Sequence, residues 1–350
     1  MKIAIIHNQF TRSGGMESYM LTLIRGFLAQ GDEVHLHVYE RDPALAHAFP
    51  TVTLQHHHLS LLPRRWRKYV FLRRYNRQFD RTEYDLSLSL TRTGCPDIAI
   101  CGGVHPAAMA SRRNRLSLRG LHDRLEIFFE QTMFARVRHI VAHSQLLRRN
   151  IHDHYQVDPG KVHVVYPPVD TERFRPLSQN RQNKIRRELG ISPERITLLF
   201  PSLGHRRKGL QELLKAFALL PHERFELLVA GRPLRTKHRG NIRFLGYVDD
   251  LSPVYGAVDY TILPSRYEPF GLVVAESLQC GTPVVVSDQV GAAELLSPET
   301  GIILPDIQPE TIAATLRDLD KPQHPAVMPD FATRTGLTIT DHINALKHLV

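Results

Sequence analysis

The sequence has no apolar run approaching the roughly 18–20 residues that a membrane-spanning helix needs. Its opening, MKIAIIHNQF, offers only a short apolar run before His7 and Asn8. That reads as a first strand rather than a secretory signal, and points to the cytoplasm. Cysteine is scarce too. Cys95, Cys101 and Cys280 make an odd count without metal-type spacing, which argues against a disulfide framework and against a zinc site. Short-period repeats and low-complexity tracts are also missing, so neither a solenoid nor a disordered tail is expected.

What is present suits a globular chain of two domains: 350 residues, 42% hydrophobic and 23% charged. The net charge of +10 is unevenly spread. Residues 1–165 carry 23 basic against 14 acidic side chains, whereas the remainder carries 22 against 21. The excess in the first half implies a polyanionic partner there.

KIAII (2–6) is a short buried strand, and Met16, Tyr19, Met20, Leu23, Ile24, Phe27 and Leu28 follow at helical spacing until Gly31. EVHLHVY then supplies a second strand, completing a βαβ unit, the building block of parallel sheets. DLSLSL, DIAIC and HIVAHS continue the strands, with a helical stretch over 121–136. VHVVYPPVD ends the first domain in a proline pair, and the polar stretch 171–193 reads as a separator. The scheme then repeats from ITLLFPS to ETIAATLRDL, its strands lacking alternation as in sheets covered on both faces. The expected architecture is α/β, two Rossmann-like domains over 1–168 and 169–330, with a final helix in 331–350.

Four stretches carry chemistry. DYTILPS runs into Arg266-Tyr267-Glu268-Pro269-Phe270-Gly271, and a helix starting there would present backbone amides at Phe270, Gly271 and Leu272. Amides at a helix start bind phosphate. Glu268 and Glu276 bracket that start, as acceptors for sugar hydroxyls on either side of a diphosphate or, alternatively, as a helix-end charge and a solvated face. FPSLGHRRKGLQELLKAF places Ser202, Arg206, Arg207 and Lys208 between a strand and a helix, where cations would neutralise a diphosphate. HNQFTRSGGMES puts Gly14 and Gly15 at a strand-to-helix turn, and DIAICGGVHPAAM puts His105 at a strand tip.

EPFGLVVAE, with its flanks PSRYEPFG and CGTPVVVSD, resembles the E-x7-E signature of the retaining GT-B glycosyltransferases of family four. The resemblance spans Gly14 to about residue 319 and implies two Rossmann-like domains facing each other across a cleft. It further implies that Glu268 lies against the donor sugar, Glu276 holds the ribose hydroxyls, and Arg207 and Lys208 clasp the pyrophosphate. Gly14 and Gly15 are similar to the family's glycine loop, GGVH to a segment whose histidine, here His105, faces the donor sugar, and Gly246-Tyr247-Val248 to the loop that meets the base. Two departures stand out: Pro201-Ser202 replaces the frequent Gly-Arg after the strand, and Pro167-Pro168 replaces Asn-Gly in the interdomain segment.

PRRWRKYVFLRRYNRQFD spaces Leu62, Trp66, Tyr69, Leu72, Tyr75 and Phe79 by threes and fours, with Arg64, Arg65, Arg67, Lys68, Arg73, Arg74 and Arg77 largely elsewhere on the wheel. Such a helix either lies on anionic lipid or faces a core and exposes its arginines. SRRNRLSLRG, with Arg112 and Arg113, adds to the same surface. A nucleic-acid binder would explain the charge but not Glu268 and Glu276.

The expected protein is therefore a metal-independent, retaining glycosyltransferase with no cofactor beyond its nucleotide-sugar co-substrate. A UDP-hexose is the favoured donor. The acceptor is a membrane-associated glycolipid or polysaccharide of bacterial cell-envelope, lipopolysaccharide-type, synthesis, at the inner face of the cytoplasmic membrane. A GDP-mannose-dependent mannosyltransferase and a non-catalytic nucleotide-sugar or polyanion binder are the alternatives.

Overall fold

The structure is a computed structural model that describes every residue except 12, 13, 111–119, 234–239, 324 and 326–329. The chain divides into two compact units: Met1–Pro168 together with Ile339–Val350, and Val169–Thr338. Residues 331–338 group with the second unit, and only Ile339–Val350 of the expected C-terminal segment groups with the first.

In the first unit, Lys2–Ile6 (β1), Glu33–Val38 (β2), Thr53–His56 (β3), Leu86–Ser89 (β4), Ile98–Cys101 (β5), His139–Ala142 (β6) and Val162–Val164 (β7) form one parallel sheet. Its order is β3-β2-β1-β4-β5-β6-β7, reversing direction beside β1 as doubly wound sheets do. Ile3, Ala4, Ile5 and Ile6 are all fully buried, which is why β1 reads as an unbroken apolar run. Helices α1 (Gly15–Ala29), α2 (Arg64–Gln78), α3 (His105–Ala110) and α4 (Gly120–Arg136) belong to this unit, and the last helix of the chain returns to it. On α1 the apolar stripe of Tyr19, Met20, Leu23, Ile24 and Phe27 faces the core.

The second unit orders Ile196–Ser202 (β8), Phe225–Gly231 (β9), Ile242–Gly246 (β10), Tyr260–Leu263 (β11), Val284–Ser287 (β12) and Gly301–Leu304 (β13) as β10-β9-β8-β11-β12-β13, again all parallel. Helices α5 (Leu210–Phe217) and α6 (Leu272–Gln279) follow β8 and β11. The last helix, α7 (Ile339–Lys347), packs on α1, where Tyr19 donates to His342 Nε2 at 2.6 Å and the single N–H of the His342 ring, on Nδ1, donates to the Tyr166 carbonyl at 2.8 Å.

Three local features go beyond the sequence reading. The separator over 171–193 contains a helix, Gln179–Glu188. Its Gln182 side chain is buried and donates to the Gly256 carbonyl, so tertiary packing supplies what the polar sequence does not advertise. β3 and β13 were not legible, being short edge strands. His57 packs edge-on against Phe71 and Tyr75 of α2, a packing that its place in a run of three histidines does not advertise.

Helix α2 settles between its two readings. Phe71, Leu72 and Tyr75 are buried in a cluster with Leu59 and Phe129, and Tyr69, Leu62 and Phe79 pack against it. Its aromatic stripe therefore serves the core, and burial of such rings is what holds the helix down. Lys68 is corrected as a surface cation: its ammonium sits 2.7 Å from the buried Glu126 carboxylate. Arg67 is likewise tied to its own entry loop, donating to the Leu62 and Ser60 carbonyls. Arg64, Arg65, Trp66, Arg73 and Arg74 are exposed, and the last two line, with Arg77, a shallow depression of about 310 Å³. Arg112 and Arg113 lie outside the described residues.

Candidate functional site

The C-terminal ends of β8 and β11 lie in one sheet, and the chain segments leaving them meet. After β8, Ser202 is buried, and His205 donates to the Arg232 carbonyl at 2.7 Å, leaving its Nδ1 to accept from the Ser202 hydroxyl at 3.0 Å. Gly209, at φ +81, opens α5. A Cβ there would stand 2.1 Å from the Pro264 carbonyl oxygen, so only glycine lets this loop close onto the end of β11. The Arg266 amide then donates to the Arg207 carbonyl at 2.9 Å, tying the two segments together.

This approach brings the cations to the glutamates. Arg207 Nη1 lies 2.7 Å from Glu268 Oε2 and donates to the Tyr267 carbonyl at 2.8 Å. Lys208 Nζ lies 4.0 Å from the same carboxylate and donates to the Pro201 carbonyl at 3.1 Å. Burial pushes the Lys208 pKa down, while Glu268 and Glu276 both work to hold its charge. Arg206 points to solvent and has no such partner among the interactions described.

Glu276, on α6, accepts a 3.0 Å hydrogen bond from Tyr255. Burial raises its carboxyl above the usual range, opposed by that hydrogen bond and by the charges of Arg173 and Lys208. Arg173 is itself paired with Asp250 at 3.1 Å. The half-buried carboxylate thus has one fixed donor and room for others, the condition for accepting from hydroxyls.

Helix α6 opens later than the sequence suggests. Leu272 is its first residue, and Gly271 caps it in the left-handed region at φ +95. The Phe270 carbonyl accepts from the Ala292 amide, and Glu268 is held by reciprocal backbone bonds to Gln289 and Gly291. Of the three amides expected at the helix start, only that of Leu272 is helical. Glu268 is fixed by a bridge to Val290 rather than by helix geometry. A Cβ on Gly271 would press within 3.0 Å of Val290 and 3.2 Å of Glu268, so the glycine keeps this turn tight against the carboxylate's stem. Gly246 ends β10, with Tyr247 exposed and Val248 half-buried beyond it.

Residues 13–173 match the family described as Glycosyltransferase Family 4, and residues 195–321 match Glycosyl transferases group 1. A probable transglycosylase of Burkholderia thailandensis is 34% identical over 304 residues, covering 87% of this chain and 82% of its own length. The chain belongs to the group 1/family 4 glycosyltransferases. This glycosyltransferase is also 33% identical over 217 residues to a D-inositol 3-phosphate glycosyltransferase of Jonesia denitrificans, spanning 55% of this chain and 51% of that one. Among solved structures, it superposes on WaaG, a glycosyltransferase involved in lipopolysaccharide biosynthesis, with TM-score 0.72 at 18% identity, covering 99% of this chain and 94% of that one. Anabaena HepE in complex with UDP-glucose gives TM-score 0.68 at 17% identity, with coverage of 100% and 94%. At those identities the likeness is one of fold, and the fold is GT-B.

In the first unit of the glycosyltransferase, Gly14 and Gly15 sit where α1 begins, and the nearby Glu17 carboxylate is 3.5 Å from the buried His7 ring. His105 opens α3. Its ring pairs with Asp123 at 2.8 Å, and its backbone amide is held by Glu130. Glu130 also accepts from Arg92 and Tyr155, and Arg92 bridges to Glu126, which Lys68 and Tyr69 complete. This buried network behind His105 was not anticipated. Glu126 and Glu130 sit four residues apart on a helix, a spacing that looks the same for a solvated face. Tyr255, Arg173 and His205 around the other site were missed because they carry no motif of their own.

Among the described residues no group of three or more histidine, cysteine, aspartate or glutamate side chains could hold a metal ion, and no helix is long and apolar enough to cross a membrane.

Proposed function

We propose that the glycosyltransferase moves a hexose from a nucleoside diphosphate sugar to a hydroxyl of a glycolipid or polysaccharide acceptor, with retention of configuration and without a metal ion. The observation that carries this is the placement of Lys208 under the influence of both Glu268 and Glu276, with Arg207 on the Glu268 carboxylate. A diphosphate entering here meets two cations that already face acids, and a hydroxyl-bearing group on either side of it meets one glutamate. Arg207 and Lys208 supply the positive charge for the leaving diphosphate, whose negative charge grows in the transition state. Glu276 takes the ribose hydroxyls and Glu268 the donor sugar. UDP is the favoured nucleotide and bacterial envelope glycolipid synthesis on the cytoplasmic side the favoured setting.

The relative named for D-inositol 3-phosphate supports a second reading of the acceptor, a small phosphorylated polyol. The basic excess of residues 1–165 suits a phosphate on either acceptor.

Calorimetry with a panel of UDP- and GDP-sugars in EDTA, on the wild type and Glu276→Ala, tests the donor reading. Binding of UDP-sugars that the variant loses is the expected result. Binding confined to GDP-mannose would transfer the assignment to a mannosyltransferase, and no binding at all would leave a polyanion-binding protein without this chemistry.

A further inference from the structure

We propose that Asp123 is a positioning residue for the transfer reaction: it fixes the tautomer of the His105 ring, so that the imidazole offers the lone pair of Nδ1 to a hydroxyl of the donor sugar. This rests on the proposed hexose transfer, with His105 as the residue that meets the hexose, and adds the group that makes His105 an acceptor.

His105 stands at the carboxyl edge of the first sheet, where ligands collect in doubly wound domains. It follows β5 through Gly102 and Gly103, the latter at φ +150. A Cβ on Gly102 would stand 2.6 Å from the Met16 sulfur, so the tip of β5 lies against the start of α1, beside the Gly14–Gly15 turn. Two carboxylates of α4 then hold His105 separately. Glu130 accepts from its backbone amide at 2.9 Å and places the residue, whereas Asp123 Oδ1 lies 2.8 Å from Nε2 and places the ring.

Asp123, Glu126 and Glu130 recur at steps of three and four, so they share one face of α4. Their partners differ in kind. Arg92 pairs with both glutamates and Lys68 with Glu126, which accounts for those two acids as members of a buried ion network. Among the described residues no lysine or arginine pairs with Asp123, and its partner is the imidazole. Glu130 already ties α3 to α4 through the His105 amide, so anchorage does not require the second tie.

An ionised carboxylate only accepts hydrogen bonds. The neutral ring must therefore carry its proton on Nε2, and the lone pair is left on Nδ1, for which the described residues supply no partner. The side chain is 8% exposed and the His122 ring stands edge-on to it at 6.0 Å, so the imidazole has little freedom to turn. Its tautomer decides what it offers.

Asp123→Asn is the decisive variant, because it keeps the shape of the side chain but lets an amide donate to Nε2. That moves the ring proton to Nδ1 and turns an acceptor into a donor. With UDP-glucose, or GDP-mannose if the calorimetric panel selects it, kcat should fall about tenfold or more, while the Kd of the free nucleoside diphosphate and the Tm stay near wild type. Asp123→Glu should recover part of the loss. In a His105→Ala background, Asp123→Asn should cost little further. Long-range ¹H–¹⁵N spectra of histidine-labelled protein, with the His105 signal assigned by its loss in His105→Ala, should place the proton on Nε2 in the wild type and on Nδ1 in Asp123→Asn. An Nδ1 proton in the wild type, an unchanged kcat in Asp123→Asn, or losses that add fully in the double variant would each overturn the proposal. Full activity of His105→Ala with donor binding intact would overturn it and leave the donor reading standing. Absence of nucleotide-sugar binding in the wild type would overturn both.

Discussion

Arg207 reaches the Glu268 carboxylate at 2.7 Å although 60 residues separate them, and Lys208, its neighbour in sequence, is turned to feel Glu276 as well. Two adjacent cations thereby serve two acids that belong to one motif. The site is already electrostatically organised, and little side-chain reorganisation is needed when a diphosphate arrives.

Lys208→Ala removes charge that the leaving group needs most in the transition state. A fall in kcat of about 10²–10³ with a smaller change in KM is expected. Steady-state kinetics with the best donor from the calorimetric panel is the check, and an unchanged kcat would withdraw Lys208 from the chemistry.

Tyr255 holds the Glu276 carboxylate from one side. Tyr255→Phe frees that acid to rotate and leaves it less well solvated, so donor Kd should rise about three- to tenfold while kcat at saturation stays near wild type. Loss of kcat with unaltered Kd would place Glu276 at the reacting centre instead.

Lys68 belongs to the fold and Arg64 and Arg65 do not. Lys68→Ala removes one partner of the buried Glu126 and should cost about 2 kcal/mol in chemical denaturation, the remainder being held by Arg92 and Tyr69. Arg64→Glu/Arg65→Glu should stay within about 0.5 kcal/mol of wild type. Equal destabilisation by the two variants would contradict the division.

Gly209→Ala places a methyl group against the Pro264 carbonyl oxygen at a backbone conformation that alanine resists. The loop carrying Arg207 and Lys208 must then back away from β11, and donor affinity should fall by at least about tenfold with the overall circular dichroism retained. Wild-type affinity in this variant would mean that the approach of the two loops is not what builds the site.

The first unit should be acid-labile. Burial lowers His37 to about 3, His143 to about 3 and His342 to about 4. Folding favours their neutral forms, so below about pH 6.5 the unfolded chain takes up protons that the folded one refuses. The stability is fully present above that pH and is lost progressively as pH falls toward 4. Thermal denaturation at pH 7.5, 6.0 and 5.0 should show Tm dropping at each step; a flat Tm over that range would be inconsistent with buried neutral histidines.

The sequence by itself determined the alternation of apolar runs and helical stripes, and with it the two parallel sheets, because strands buried on both faces leave no choice of period. It also determined the E-x7-E segment, since a glycine between a strand and a helix and acids at its two ends are local facts. Only tertiary structure decided what those residues face. Lys68 and Arg64 stand four positions apart on one helix and look alike in sequence, yet one answers a buried acid contributed 58 residues later and the other meets water. Glu126 and Glu130 look like a solvated face until Arg92, His105 and Tyr155 arrive from other elements. Lys208 acquires its second carboxylate only when β8 and β11 lie in the same sheet. Charge and hydrogen-bonding capacity are properties of a residue, but the partner that satisfies them is chosen by the packing of segments distant in the chain.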